Sequence, residues 1–332
     1  MLTPAQLFNS LPQLLLACTL NITCAHAETA TDLRYEPIFP IPQTIEFDAS
    51  KAEIGERLFF DTRLSKDNSI ACATCHQLEA GGDDNVATGI SISDENNVFN
   101  TPSIFNTLYN FRQNWDGSIK TPHEQIDAVV ISHTGFDNQW SEIVSRLSED
   151  KVLKSYFNKA YIDGINQTNI IDALVEFEKT LITPNSRFDR YLRNEENSLS
   201  SEEIEGYLVF KELGCISCHQ GINIGGNLFQ KFGVFYDYMA ERGDLSKNDY
   251  GRFNTTNRLI DQFVFKVPSL RNVAVTAPYL HDGSAKTIDE AISIMGKTQI
   301  GRALTVDEIL SIKAFLNTLT GEYKNTLMDA ES

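Results

Sequence analysis

Apolar positions along this chain recur with helical rather than strand spacing. Between residues 167 and 182 the apolar side chains Ile170, Ile171, Leu174, Phe177 and Leu181 fall on one helical face. Thr183-Pro184 closes that segment, because a residue before proline is pushed out of the α region. A polar stretch from Asn194 to Ser201 reads as a linker. Ser200, with Glu203 three positions on, forms a capping box that opens a helix running into Leu213-Gly214. Thr287 with Glu290 and Thr305 with Glu308 mark two more helix starts, and a last helix over about 305–319 should bury Ile309, Ile312, Leu316 and Leu319. Alternating strand patterns are few, so the fold class is mainly α. Two long segments, 77–115 and 220–285, are rich in Gly, Asn and Asp, and loops of that length in a compact domain are usually functional or wrapped round a ligand.

The 332 residues suggest two domains, and 42% apolar content is enough to bury real cores. A formal charge of −17 argues against a nucleic-acid partner, since phosphate binding needs Lys and Arg clusters; it serves solubility and favours basic partners. Residues 1–27 read as an export signal: Leu11–Thr23 is largely apolar and Ala25-His26-Ala27 fits a small-x-small cleavage site. Leu15-Leu16-Ala17-Cys18 offers the alternative of a lipoprotein box with Cys18 as the lipidated residue. Either reading places the chain in the periplasm. No later stretch reads as a membrane span.

The cysteines carry the chemistry. Of six, Cys18 and Cys24 lie in the signal region, and the other four form two C-x-x-C pairs, each followed directly by histidine: Cys72, Cys75 and His76, then Cys215, Cys218 and His219. C-x-x-C-H is the attachment pattern of c-type haem: the thiols bind the porphyrin covalently and the histidine takes the proximal position on iron. Zinc knuckles would need further Cys or His ligands at short spacing, and none follow.

Around these motifs the chain resembles the bacterial di-haem cytochrome c peroxidase family, with MauG-like enzymes as its cousins. The resemblance runs from about Glu53 to Tyr323. It rests on Gly55-x-x-Leu58-Phe59-Phe60-Asp61, CATCH at 72–76, Asn100-Thr101-Pro102-Ser103, Trp115-Asp116-Gly117, CISCH at 215–219, GGNLFQKFGVF at 225–235 and VPSLRNVAVTAPYLHDGS at 267–284. It implies two cytochrome c-like domains, each enclosing one covalently bound haem. The first would be a peroxidatic domain at 28–190 and the second an electron-transfer domain at 191–323. The last helix could pack back on the first domain, and 324–332 would be a tail. The activity implied is reduction of hydrogen peroxide to water, with electrons from a small cytochrome c or cupredoxin. The family analogy also allows a homodimer.

By its match to the family motif, Met295 is the second axial ligand of the His219 haem; a thioether raises the potential and holds an electron at rest. Met239 is its one competitor and falls in an expected loop. A tyrosine at 295 would have pointed to MauG-type chemistry. At the first haem this chain departs from its relatives. The distal histidine of many relatives, sixteen positions after the proximal one, is here Ile92, which implies a five-coordinate or water-bound iron. The family's catalytic glutamate, twenty positions after Trp115, is here Gly135, while the distal glutamine is kept as Gln125. His133 is the nearest substitute acid/base, or a sixth iron ligand, or neither; His123 and Glu124 are further candidates. Trp115 matches the tryptophan between the haems, where it can relay electrons. The calcium ligands implied are Asn100, Thr276 and Pro278, all hard oxygen donors, and so few protein ligands imply modest affinity. Arg271 and His281 read as propionate or structural partners. A MauG-like oxidase acting on a partner protein, and a non-enzymatic di-haem electron carrier with the first iron capped by His123 or His133, are the rival readings.

Overall fold

A computed structural model describes residues 33–89 and 99–328 of the chain. The segment expected to be an export signal, 1–27, and Ile92 lie outside the described residues. Among the described residues the chain is helical with two small sheets. No helix among them is long and apolar enough to cross a membrane.

The first core forms from α1 (Ala49–Phe59), the short α2 (Cys72–Cys75), α3 (Pro122–Ile131), α4 (Trp140–Ser148), α5 (Lys151–Ala160) and α6 (Gln167–Thr180). Their N-caps follow from the sequence: Asp48, Thr121, Asp150 and Asn166 each accept from the backbone of the first turn. α1 packs along α6, and a Cβ on Gly55 would lie 2.0 Å from the carbonyl oxygen of Ala173, so only glycine lets the two helices touch there. Ile54, Leu58 and Phe59 meet Ile170, Leu174 and Phe177 across this contact.

The second core repeats the plan. After α7 (Arg187–Leu192), α8 (Ser201–Glu212) starts on the capping box of Ser200 and Glu203. The long loop beyond it carries β1 (Phe229–Lys231), α9 (Tyr238–Arg242), α10 (Phe253–Thr256) and β2 (Val264–Lys266), with β1 and β2 antiparallel and Gln230 opposite Phe265. α11 (Ile288–Met295) and α12 (Val306–Leu316) follow, each with its expected capping box. α12 packs on α8, and a Cβ on Gly206 would lie 2.0 Å from the carbonyl oxygen of Ser311. The doubled unit is thus a helix, a C-x-x-C-H and a closing helix that crosses the first one at a glycine.

The chain ends cross over. Ile38 sits in the second core, and Ile41 N donates to Asp189 of α7 at 3.2 Å. β3 (Glu322–Tyr323), β4 (Thr326–Leu327) and Met328 instead return to the first core, where the Tyr323 ring lies 5.0 Å from that of Phe105. The last helix itself belongs to the second core; it is the tail beyond it that packs back. A third, smaller cluster combines Phe232, Met239 and Phe265 with Phe99, Trp115, Ile294 and Met295, joining residues from both halves of the sequence. Met239 is in a helix, α9, and 1% exposed, rather than in the loop the pattern suggested.

Candidate functional site

The two C-x-x-C-H motifs set their histidines identically. His76 Nδ1 lies 3.0 Å from the Gly82 carbonyl, and His219 Nδ1 lies 3.2 Å from the Ile224 carbonyl. A carbonyl can only accept, so Nδ1 carries the proton and Nε2 is left with a free lone pair, the tautomer that binds a metal. Burial favours the same uncharged form: it lowers the His76 imidazole and pulls His219 down to about 4. No disulfide joins Cys72, Cys75, Cys215 and Cys218. Burial pushes Cys72 up to about 12 and Cys215 up to about 11, so neither is a thiolate at neutral pH. The residues present fit covalent haem at both motifs. They do not fit zinc: among the described residues, the one group of three acidic, His or Cys side chains close enough to share an ion is Asp249, His281 and Asp282. The Arg242 guanidinium already sits on both of those carboxylates.

A cavity of about 630 Å³ opens in front of the second motif, within the size range of cofactor sites. Cys215, Cys218 and His219 form one wall. α11 supplies the facing wall through Ile288, Ala291, Ile292 and Met295, a single i, i+3, i+4, i+7 stripe, and α12 adds Ile312 and Leu316. α11 ends at Met295 in a π-helical turn over Gly296–Ile300, an irregularity common at functional sites. The same cavity reaches Trp115, Asn100, Thr276 and Pro278, so the structure brings together most of the site residues expected of the second haem and the calcium. Trp115 is fixed at both ends: its Nε1 donates to the Asn100 carbonyl at 2.8 Å, and its own carbonyl accepts from Lys266 N at 2.8 Å. A shallower cleft of about 440 Å³ between Arg57, Asp61, Arg63 and Tyr156 holds none of these residues.

Lys266 is the cation that sequence reasoning missed. It is 7% exposed, it lines the cavity, and burial alone pulls its ammonium down to about 8. A buried ammonium with no carboxylate acting on it suits an anionic guest such as a porphyrin propionate. Arg271 does not have that freedom. Its guanidinium donates to Asp189 Oδ1 at 2.7 Å, to the Ile222 carbonyl at 2.9 Å and to the Phe39 carbonyl at 2.8 Å, tying the N-terminal segment to the second core. His281 is likewise structural: it is 2% exposed and its Nε2 lies 2.7 Å from Asp249 Oδ1.

Gln125 on α3 has its Oε1 sealed from solvent with no hydrogen-bond partner. Glu178 on α6 lies near enough to Cys72 to act on its thiol, and burial pushes this carboxyl up to about 8, leaving it protonated at neutral pH. The sequence signal for Glu178 was weak, since it sits at the end of an amphipathic helix where an acid is ordinary. His133 is elsewhere. It follows the end of α3 with its side chain 83% exposed, and its Nδ1 lies 2.5 Å from Asp137 Oδ1, while Asp137 Oδ2 binds Lys66. The structure brings Gln125 inward and leaves His133 in solvent.

Comparison with known proteins finds relatives along most of the chain. A family model described as di-haem cytochrome c peroxidase matches residues 49–197. Cytochrome c peroxidase Ccp of Escherichia coli K12 is 40% identical over 92% of this chain, which spans 66% of that protein's length. Cytochrome c551 peroxidase of Nitrosomonas europaea is 37% identical, covering 92% of this chain and 90% of that one. Among solved structures, a MauG-like protein associated with microbial copper homeostasis superposes with a TM-score of 0.75 at 26% identity, over 87% of this chain and 94% of that chain.

Proposed function

The chain belongs to the di-haem cytochrome c peroxidase family, and from that membership we propose that it reduces hydrogen peroxide to water with electrons from a small soluble donor, a cytochrome c or a cupredoxin. The observation that carries the reading is that His219 and Met295 line one cavity, while at the first motif a protonated Glu178 lies near Cys72. In this reading the two cores are two cytochrome c-like haem domains, loaded after export to the periplasm. The haems, when bound, supply reversible one-electron storage at one iron and peroxide cleavage at the other.

The protein's own residues do the rest. His219 and Met295 would hold the second haem's iron between them and so keep peroxide from it, and the thioether would favour the reduced state. Lys266 offsets propionate charge at the same haem. His76, held by the Gly82 carbonyl, would ligate the first haem's iron through Nε2 and leave that haem able to take peroxide. Gln125 offers a polar atom inside the first core to orient a bound peroxide, and Glu178 keeps a proton near Cys72. Trp115, fixed between Asn100 and Lys266, lies on the path between the halves. Two electrons and two protons turn one hydrogen peroxide into two waters, so the donor must be used twice per turnover.

A calcium ion between the halves is part of the proposal. The Asn100 amide nitrogen donates to the Val86 carbonyl at 3.0 Å, which leaves its oxygen as a hard donor, and Asn100, Thr276 and Pro278 line the same cavity.

The test is an electron paramagnetic resonance spectrum of the oxidised holoprotein with steady-state peroxide turnover on reduced cytochrome c. One high-spin and one low-spin haem, with turnover, is the expected result. Two low-spin haems without turnover would replace the enzyme by an electron carrier.

A further inference from the structure

The loop that follows the first motif turns back on it. The Gly82 carbonyl, which holds His76, also accepts from Ile104 N at 2.9 Å, and Gln77 N donates to the Asp83 carbonyl at 3.0 Å. This turn buries two adjacent carboxylates, Asp83 at 2% and Asp84 at 6% exposure. Their surroundings differ. Asp84 is satisfied: its Oδ2 accepts from Thr101 Oγ1 at 2.7 Å and its Oδ1 from Val86 N at 3.3 Å. Asp83 is not: its Oδ1 is sealed from solvent and has no hydrogen-bond partner.

Asp83 lies on the wall of the 630 Å³ cavity together with Asn100, Thr276 and Pro278. Its charge is felt by the Tyr279 phenol, one residue beyond Pro278. A buried carboxylate with no partner costs several kcal/mol unless it takes a proton or meets a cation. Asn100, Thr276 and Pro278 on that wall can offer only uncharged oxygens, the complement a carboxylate needs to complete a divalent-cation site.

We propose that the Asp83 carboxylate is a further ligand of the cation held by Asn100, Thr276 and Pro278, supplying the negative charge that those neutral oxygens lack. The proposal rests on the calcium reading above and deepens it. With that charge, affinity is higher than three neutral ligands allow, because the charge count of the ligand set tunes calcium binding. The ion then braces the loop that presents Gly82 to His76, linking the 276–278 segment to the first haem ligand.

The experiment is calorimetric titration of calcium chloride into chelator-stripped holoprotein carrying both haems, for the wild type, Asp83→Asn and Asn100→Ala. One calcium per chain is expected in the wild type, with affinity falling about 10–100-fold in Asp83→Asn, an isosteric change that removes only the charge. Thermal midpoints in chelator check the fold: Asp83→Asn should match or exceed the wild type, since an unpaired buried carboxyl is gone. Wild-type affinity in Asp83→Asn, with binding lost in Asn100→Ala, would remove Asp83 from the site and leave the calcium reading standing. No calcium uptake by the wild type would overturn both. A lowered midpoint of Asp83→Asn in chelator would make its role structural and overturn the assignment.

Discussion

His76 and His219 are held by the same device, a backbone carbonyl on Nδ1 five or six residues further along, yet they face different surroundings. His219 looks across a cavity walled by an apolar helical stripe that ends in Met295. His76 sits beside the first core, where Gln125 Oε1 is sealed without a partner and Glu178 keeps its proton close to Cys72. The motif therefore fixes how a haem is anchored and which imidazole nitrogen meets it. What lies opposite is decided by helices far away in sequence. One element, α11, is enough to make the difference, because its i, i+7 stripe carries the thioether to the cavity.

The strongest way to break this contrast is to exchange that thioether. Met295→His should lower the midpoint potential of the second haem by a few tenths of a volt, inside the roughly 0.8 V window over which axial ligands move haem potentials. The first haem should keep its spectrum. Potentiometric titration of the holoprotein reads both at once, and an unchanged upper potential would mean that Met295 is packing and that the two sites are not differentiated by it.

The second contrast is structural. The second half is completed by the beginning of the chain, through Arg271, and the first by its end, through Tyr323 and Met328. Arg271 and Asp189 form an ion pair with side chains 1% and 0% exposed. Arg271→Met strands the Asp189 carboxylate in the interior, and loss of one partner of a buried pair costs about 3–5 kcal/mol. Denaturant unfolding should show this loss, with the second haem released first. Equal release of both haems would show that the halves do not melt separately.

These two features were not equally legible in the sequence. The capping boxes at Ser200, Thr287 and Thr305, the α6 face and both haem motifs were readable, because each is local: a few residues at fixed spacing determine the hydrogen bonds. Met295 and the Asn100, Thr276 and Pro278 set came from family resemblance, and they share one cavity. Lys266, Asp83 and Glu178 were invisible, since a charged residue in a strand, a loop or a helix end signals nothing until its burial is known. The crossing of the chain ends was equally hidden, being a contact between residues more than a hundred positions apart.

The repeated glycine crossing offers a finer comparison. Gly55→Ala and Gly206→Ala each place a methyl 2.0 Å from a facing backbone oxygen, so the helices must part, at about 1–3 kcal/mol for overpacking less roughly 1 kcal/mol regained in helix propensity. Both should lower the melting midpoint by a similar amount. Only Gly206→Ala should also perturb the low-spin haem spectrum, because the helix it displaces carries Ile312 and Leu316 to the cavity. Equal spectral change in both variants would mean that the two cores transmit strain to one another.

The smallest expected effect is at His133, and it sharpens the comparison from the first site. A general base in an enclosed pocket contributes about 10²–10⁴ in rate, so its removal should be plain in peroxide turnover. His133 is 83% exposed and shares the Asp137 carboxylate with Lys66, an arrangement of the surface rather than of a water-excluded site. We expect His133→Ala to leave turnover within about twofold of the wild type, a small fraction of that range. Gln125→Ala, which removes a buried group, should slow the peroxide step while leaving reduction of the second haem by donor unchanged. The pair discriminates: a large loss at His133 with none at Gln125 would place the proton transfer at the surface end of α3 and require the first pocket to open there, whereas the expected order keeps it within the core, where Gln125 is the side chain on α3 whose polar atom still lacks a partner.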